Sequence, residues 1–123
     1  MKKKIAIIED EEIMIDILKR KILQQGYEVV LARDGEEGLN LIKKEKPDLI
    51  LLDIIMPKMN GFEVMAEINK DPELKKIPII VISNSGQPVE LDKAKKLGAE
   101  DWLIKTEFDP KEVIEKVKKC LGE

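Results

Sequence analysis

The stretch Leu49-Ile50-Leu51-Leu52-Asp53-Ile54-Ile55-Met56-Pro57-Lys58-Met59-Asn60-Gly61 decides the fold. Four consecutive aliphatic residues without polar alternation predict a strand buried on both faces, the central strand of a parallel sheet. Asp53 closes that strand. In an open α/β sheet the carboxyl ends of the strands face the ligand crevice, so this carboxylate is carried to the functional edge. Pro57 cannot continue the ladder, and Asn60-Gly61 supplies the turn into the next helix. Taken alone, Asp53 reads equally well as a turn or helix-capping residue. What converges on it from elsewhere in the chain decides between the two.

Working outward, each further apolar run also ends in polar residues. Lys4 to Ile8 is the first strand, followed by Glu9-Asp10-Glu11-Glu12. A helix from about Glu12 to Gln25 carries Met14, Leu18 and Ile22 as its buried stripe, and Gly26 closes it. Tyr27 to Ala32 is the second strand. The second helix starts near Asp34-Gly35, runs to about Glu45 and turns Leu39 and Ile42 inward. Gly38 lies within it at a cost of roughly 1 kcal/mol against alanine, which close approach to the sheet explains. Beyond the central strand, a third helix from about Phe62 to Lys70 buries Val64, Met65 and Ile68, and Pro72 stops it. Pro78 to Ser83 is the fourth strand, and 84–88 is a loop. A weakly apolar fourth helix has Ala94 and Leu97 as inner contacts and ends at Gly98. Asp101 to Ile104 is a short fifth strand before Lys105, and Pro110 opens a last helix with Val113, Ile114, Val117 and Leu121 as its stripe.

Strands and helices alternate five times through connections short enough to demand right-handed parallel crossovers. The expected product is an α/β, doubly wound, five-stranded parallel sheet of flavodoxin-like strand order 2-1-3-4-5, with helices on both faces. The 123 residues, 43% hydrophobic and 38% charged, suit one domain spanning 1–123.

Composition excludes several chemistries. With no histidine and one cysteine, Cys120, zinc sites and Ser-His-Asp or Cys-His arrangements are absent from the chain. The net charge of −3 comes from interleaved lysines and glutamates, and one Trp, one Tyr and two Phe offer few stacking platforms. Direct nucleic-acid binding is therefore not expected. The apolar run after Met1-Lys2-Lys3-Lys4 stops too soon for a signal peptide, and no run is long enough to enter a membrane. The expected location is cytoplasmic.

The strand ends then collect Glu9 and Asp10, Asp53, Ser83 and Lys105 along one edge. Two carboxylates about 5 Å apart repel by roughly 3 kcal/mol at an effective dielectric near 20, so such a cluster needs cations. Lys105 supplies one, and a hard divalent ion such as Mg²⁺, held by carboxylates and water, supplies another. A carboxylate, a metal, an ammonium and a hydroxyl around one void are the parts for stabilising a phosphoryl group in transfer. The most economical assignment makes Asp53 the nucleophile. Asp10, with Glu9 mostly through water, then holds Mg²⁺ against Asp53, while Lys105 and the Ser83 hydroxyl bind phosphoryl oxygens.

Glu9-Asp10 after the first strand, the run from Asp53 to Gly61, Ser83 closing the fourth strand and 98–105 ending in Lys105 resemble the receiver domain of two-component response regulators over essentially the whole chain. The resemblance implies that Asp53 accepts a phosphoryl group from a histidine kinase or phosphotransfer protein, with the Ile55 carbonyl as a further Mg²⁺ ligand. It implies a switch, in which Ser83 moves toward the phosphoryl group and Trp102 swings inward, reshaping the face of the fourth helix, fifth strand and fifth helix for a downstream protein target. It also implies a signalling domain that promotes only its own phosphorylation and dephosphorylation, not an enzyme acting on other substrates. Three positions depart from the family's habit: Asn84 follows Ser83 where a small residue is usual, Trp102 replaces Tyr or Phe, and Thr106 follows Lys105 in place of proline. A degenerate pseudo-receiver acting as a protein scaffold is the alternative those departures motivate. A metal-dependent phosphohydrolase is a lesser one, because the second acid such enzymes often carry two residues past the nucleophile is Ile55 here. A flavin or nucleotide domain is disfavoured by the acidic first loop. Ile13 and Ile15, flanking the stripe of the first helix, are candidate partner contacts beside the acidic edge.

Overall fold

A computed structural model describes residues 2–84, 86–107 and 109–123. Ser85, within the loop read at 84–88, lies outside them. The order is β1 (Lys4–Ile8), α1 (Glu12–Gln24), β2 (Glu28–Ala32), α2 (Gly35–Glu45), β3 (Leu49–Asp53), α3 (Gly61–Ile68), β4 (Ile79–Ser83), α4 (Pro88–Lys96), β5 (Asp101–Ile104) and α5 (Pro110–Leu121). All strand pairs are parallel, in the order β2-β1-β3-β4-β5 expected from the sequence. A 3₁₀ turn, Leu74–Lys76, occupies the connection before β4 and buries Leu74. The apolar-run reading had no signal for it, because one buried leucine among charged residues carries no period.

β3 is buried along its whole length because both of its faces are covered. Ala6, Ile8, Ile50, Leu52 and Val81 turn to one side and pack with Leu39 and Ile42 of α2, Val64, Met65 and Ile68 of α3 and Ala94 of α4. Ile5, Ile7, Leu49, Leu51 and Ile80 turn to the other, against Met14, Leu18 and Ile22 of α1 and Val113 and Val117 of α5. The two-residue period of the strands thus distributes one oily sequence between two cores. Gly38 performs the role expected of it: a Cβ there lies 2.6 Å from Cγ2 of Ile8, so only glycine lets α2 settle this close to β1. Ile15 corrects the sequence reading, being 2% exposed and part of the core, whereas Ile13 is 78% exposed.

The two halves of the site are delivered by register. Asp53 stands opposite Ile82 on β4, and Ser83 stands opposite Ile104 on β5, one residue before Lys105. The Lys105 amide donates to the Ser83 carbonyl at 2.8 Å, continuing the ladder past the strand end. Every peptide bond among the described residues is trans, Lys105–Thr106 included. No helix among the described residues is long and apolar enough to cross a membrane.

Candidate functional site

The β1 end turns Glu9 into the protein, fully buried, and leaves Asp10 exposed. Oε2 of Glu9 accepts the backbone N–H of Asp10 at 2.9 Å and of Glu11 at 3.4 Å, which anchors the carboxylate against its own loop. Oε1 of Glu9 is buried and has no hydrogen-bond partner among the described residues. The Lys105 ammonium lies 2.8 Å from it as an ion contact rather than an aligned hydrogen bond. Asp53 is 1% exposed. Its Oδ2 accepts from Lys105 Nζ at 3.0 Å and its Oδ1 from the Ile55 amide at 3.3 Å.

The loop beyond Asp53 is held as firmly. The Gly61 amide donates to the Ile54 carbonyl at 2.8 Å, and Asn60 and Glu63 form a reciprocal capping box that starts α3. Lys58 adopts φ of 68°, the left-handed region, directly after Pro57, and its ammonium stands 3.8 Å from Asp34. Together these turn the chain sharply and leave Ile55 61% exposed beside the carboxylates.

Lys105 is the cation of the cluster. Its side chain is 6% exposed, and Glu9, Glu11 and Asp53 all lie within 3.0 Å of Nζ. Burial works to lower its pKa, but the carboxylates of Glu11, Glu9 and Asp53 outweigh burial and hold it above the ordinary lysine value. Glu9 shows the opposite balance. Burial, reinforced by the neighbouring Asp53 carboxylate, pushes its carboxyl up to about 7 against the pull of Lys105.

One oxygen from each of Glu9, Asp10 and Asp53 lies within 4.8 Å of the others. These are hard oxygen donors with more negative charge than one lysine neutralises, and Glu9 among them carries a buried oxygen lacking a hydrogen bond. That donor set fits a hard divalent cation such as Mg²⁺. It does not fit a soft metal.

Ser83 is 1% exposed, and its hydroxyl donates to Glu90 Oε1 on α4 at 3.0 Å. Trp102 is 37% exposed on β5, at the edge of the sheet. The structure therefore gathers Glu9, Asp10, Asp53 and Lys105 at one place, sets Ile55 beside them, ties Ser83 to α4, and leaves Trp102 partly in solvent. Two participants were missed by the sequence reading. Glu11 stands in the acidic run after the first strand with nothing in the sequence to set it apart from Glu12, yet its Oε1 accepts from Lys105 at 2.6 Å. Glu90 carried no signal in a weakly apolar helix.

The family model described as the response regulator receiver domain matches residues 5–118. A probable transcriptional regulator, ycf27, of Guillardia theta is 40% identical over 98% of this chain and 46% of its own length. The chain spans about half the length of the curated relatives it matches. Chemotaxis protein CheY4 of Vibrio cholerae superimposes with a TM-score of 0.91 at 28% identity, covering 98% of this chain and 100% of that one. The phosphorylated cyanobacterial phytochrome response regulator RcpA superimposes at 0.81 with 32% identity, covering 97% of this chain and 91% of that one.

Proposed function

This chain belongs to the response regulator receiver domain family, a family of signalling domains, and on that premise we propose that Asp53 is its phosphoacceptor. The observation that carries the proposal is a buried carboxylate at the end of β3, with Lys105 Nζ 3.0 Å from Oδ2 and oxygens of Glu9 and Asp10 within 4.8 Å. The donor is the phosphohistidine of a kinase or phosphotransfer protein. A carboxylate oxygen of Asp53 attacks phosphorus and the new O–P bond forms. The P–N bond to the donor imidazole breaks, its electron pair staying on nitrogen, which then takes a proton from water.

The residues divide the work. Asp10 and Asp53, with the Ile55 carbonyl and Glu9, would hold Mg²⁺, which when bound would neutralise charge on the phosphoryl oxygens. Lys105 offers its ammonium to another phosphoryl oxygen and keeps the Asp53 carboxylate aimed. Glu9, Asp53 and the Lys105 side chain are buried where β1, β3 and β5 end, so the charge pairs among them count for more than in water. Ser83 supplies its hydroxyl to the transferred group by turning from Glu90. Because Glu90 belongs to α4 and Trp102 to β5, the consequence is delivered to the face of α4, β5 and α5, where a downstream protein docks.

Incubation with Mg²⁺ and acetyl phosphate tests this. The wild-type chain takes up one phosphate, and Asp53→Asn takes up none. Label that survives the substitution overturns the assignment. A chain that takes no label and shows no saturable Mg²⁺ response in Trp102 fluorescence is instead a scaffold, and release of more than one equivalent of phosphate from phosphate esters marks a hydrolase.

A further inference from the structure

An ammonium has three N–H donors. At Lys105, Glu11 Oε1 accepts one at 2.6 Å and Asp53 Oδ2 another at 3.0 Å, while Glu9 Oε1 lies 2.8 Å away as an ion contact. They are not equivalent. The side chains of Glu9 and Asp53 are 0% and 1% exposed on strand ends, whereas that of Glu11 is 56% exposed. Glu11 also occupies the N-cap of α1 without making a side-chain cap hydrogen bond. Its carboxylate is committed across the site, to a residue 94 positions away in the chain.

Resting on the reading of Asp53 as phosphoacceptor, we propose that Glu11 is a place-holding anion: its carboxylate occupies the Lys105 N–H that a phosphoryl oxygen must take, and phosphoryl entry requires it to swing out. The physical case is one of replaceability. Glu9 and Asp53 cannot leave without stranding a buried charge. Glu11 can, since an exposed carboxylate recovers most of its interaction with water, and such pairs hold by little. Until it leaves, it also adds one more negative charge against an anionic donor. Glu11 is thus a positioning residue acting through Lys105, and it sets how readily the site admits anions of the phosphoryl class.

The test compares Glu11→Gln and Glu11→Ala with Glu12→Gln. Glu12 is the control because it is the adjacent exposed acid, paired with Arg33 at 2.7 Å, and its substitution removes the same charge. Two readouts are taken on the full chain with Mg²⁺: the rate of labelling by acetyl phosphate, and the calorimetric affinity for beryllofluoride, an unreactive phosphoryl mimic. Both Glu11 variants label roughly fivefold faster and bind the mimic roughly fivefold tighter than wild type, with the difference shrinking as salt is raised. Glu12→Gln follows wild type. Unchanged or weakened values for the Glu11 variants overturn the inference, as does an equal gain in Glu12→Gln. Wild-type label that survives Asp53→Asn sinks the phosphoacceptor reading itself, whereas label confined to Asp53 with unaltered Glu11 variants sinks the place-holder alone.

Discussion

At the scale of single residues, the position of Asp53 depends on a neighbour with no side chain. A Cβ at Gly61 lies 2.5 Å from the Asp53 carbonyl oxygen and 2.8 Å from the Ile54 Cα, both backbone atoms that cannot rotate away. Gly61→Ala therefore displaces the strand end: it is expected to lower unfolding stability by about 1–3 kcal/mol in a denaturant titration and to slow labelling of Asp53 in parallel. A variant as stable and as readily labelled as wild type refutes this. The buried acid and base of the site were legible in sequence because each closes an oily run, as Asp53 closes 49–52 and Lys105 follows 101–104. Glu11 and Glu90 were not. Their roles depend on where a side-chain tip reaches across a gap between elements, and no local pattern encodes that distance.

At the scale of elements, period and punctuation were enough to place all five strands and five helices. The differences lie at ends, as with α3, which starts at Gly61 because the Asn60 cap precedes it. β2 offers a test of how the elements are tied. Tyr27, just before it, is 8% exposed and donates its hydroxyl to Glu123 Oε1 at 2.5 Å, joining the start of β2 to the chain beyond α5. Burial first, and the Glu123 carboxylate second, push the Tyr27 hydroxyl from 10.0 up to about 12. A phenol whose pKa is raised by folding favours the folded state below the unfolded value. That contribution is present below pH 10 and is lost as pH rises toward 12. Tyrosinate absorbance of this single tyrosine should therefore titrate near pH 12 in the native protein. Glu123→Gln should bring it part of the way back, since burial, the larger cause, remains. A native titration near 10 contradicts the tie.

At the scale of the whole molecule, the sequence reading anticipated the two-sided burial of β3 and, with it, the edge at which the carboxylates meet. It placed α4 without conveying how lightly that helix is attached. Its buried residue is Ala94 alone, whereas α3, one residue shorter, buries Gly61, Val64, Met65 and Ile68. Its partner strand β5 is the four-residue edge of the sheet. Shallow rooting of this kind makes a segment inexpensive to release, and local opening draws on the segments with the fewest apolar anchors. In native-state hydrogen exchange the amides of α4 should exchange before those of α3, and equal protection of the two would contradict that ranking. The molecule is accordingly moored unevenly, fast along β1, β3 and α3 and slack at one flank. If Asp53 is the phosphoacceptor we propose, a tug on Ser83 would reach that slack mooring through its hydrogen bond to Glu90, while the hull would stay still.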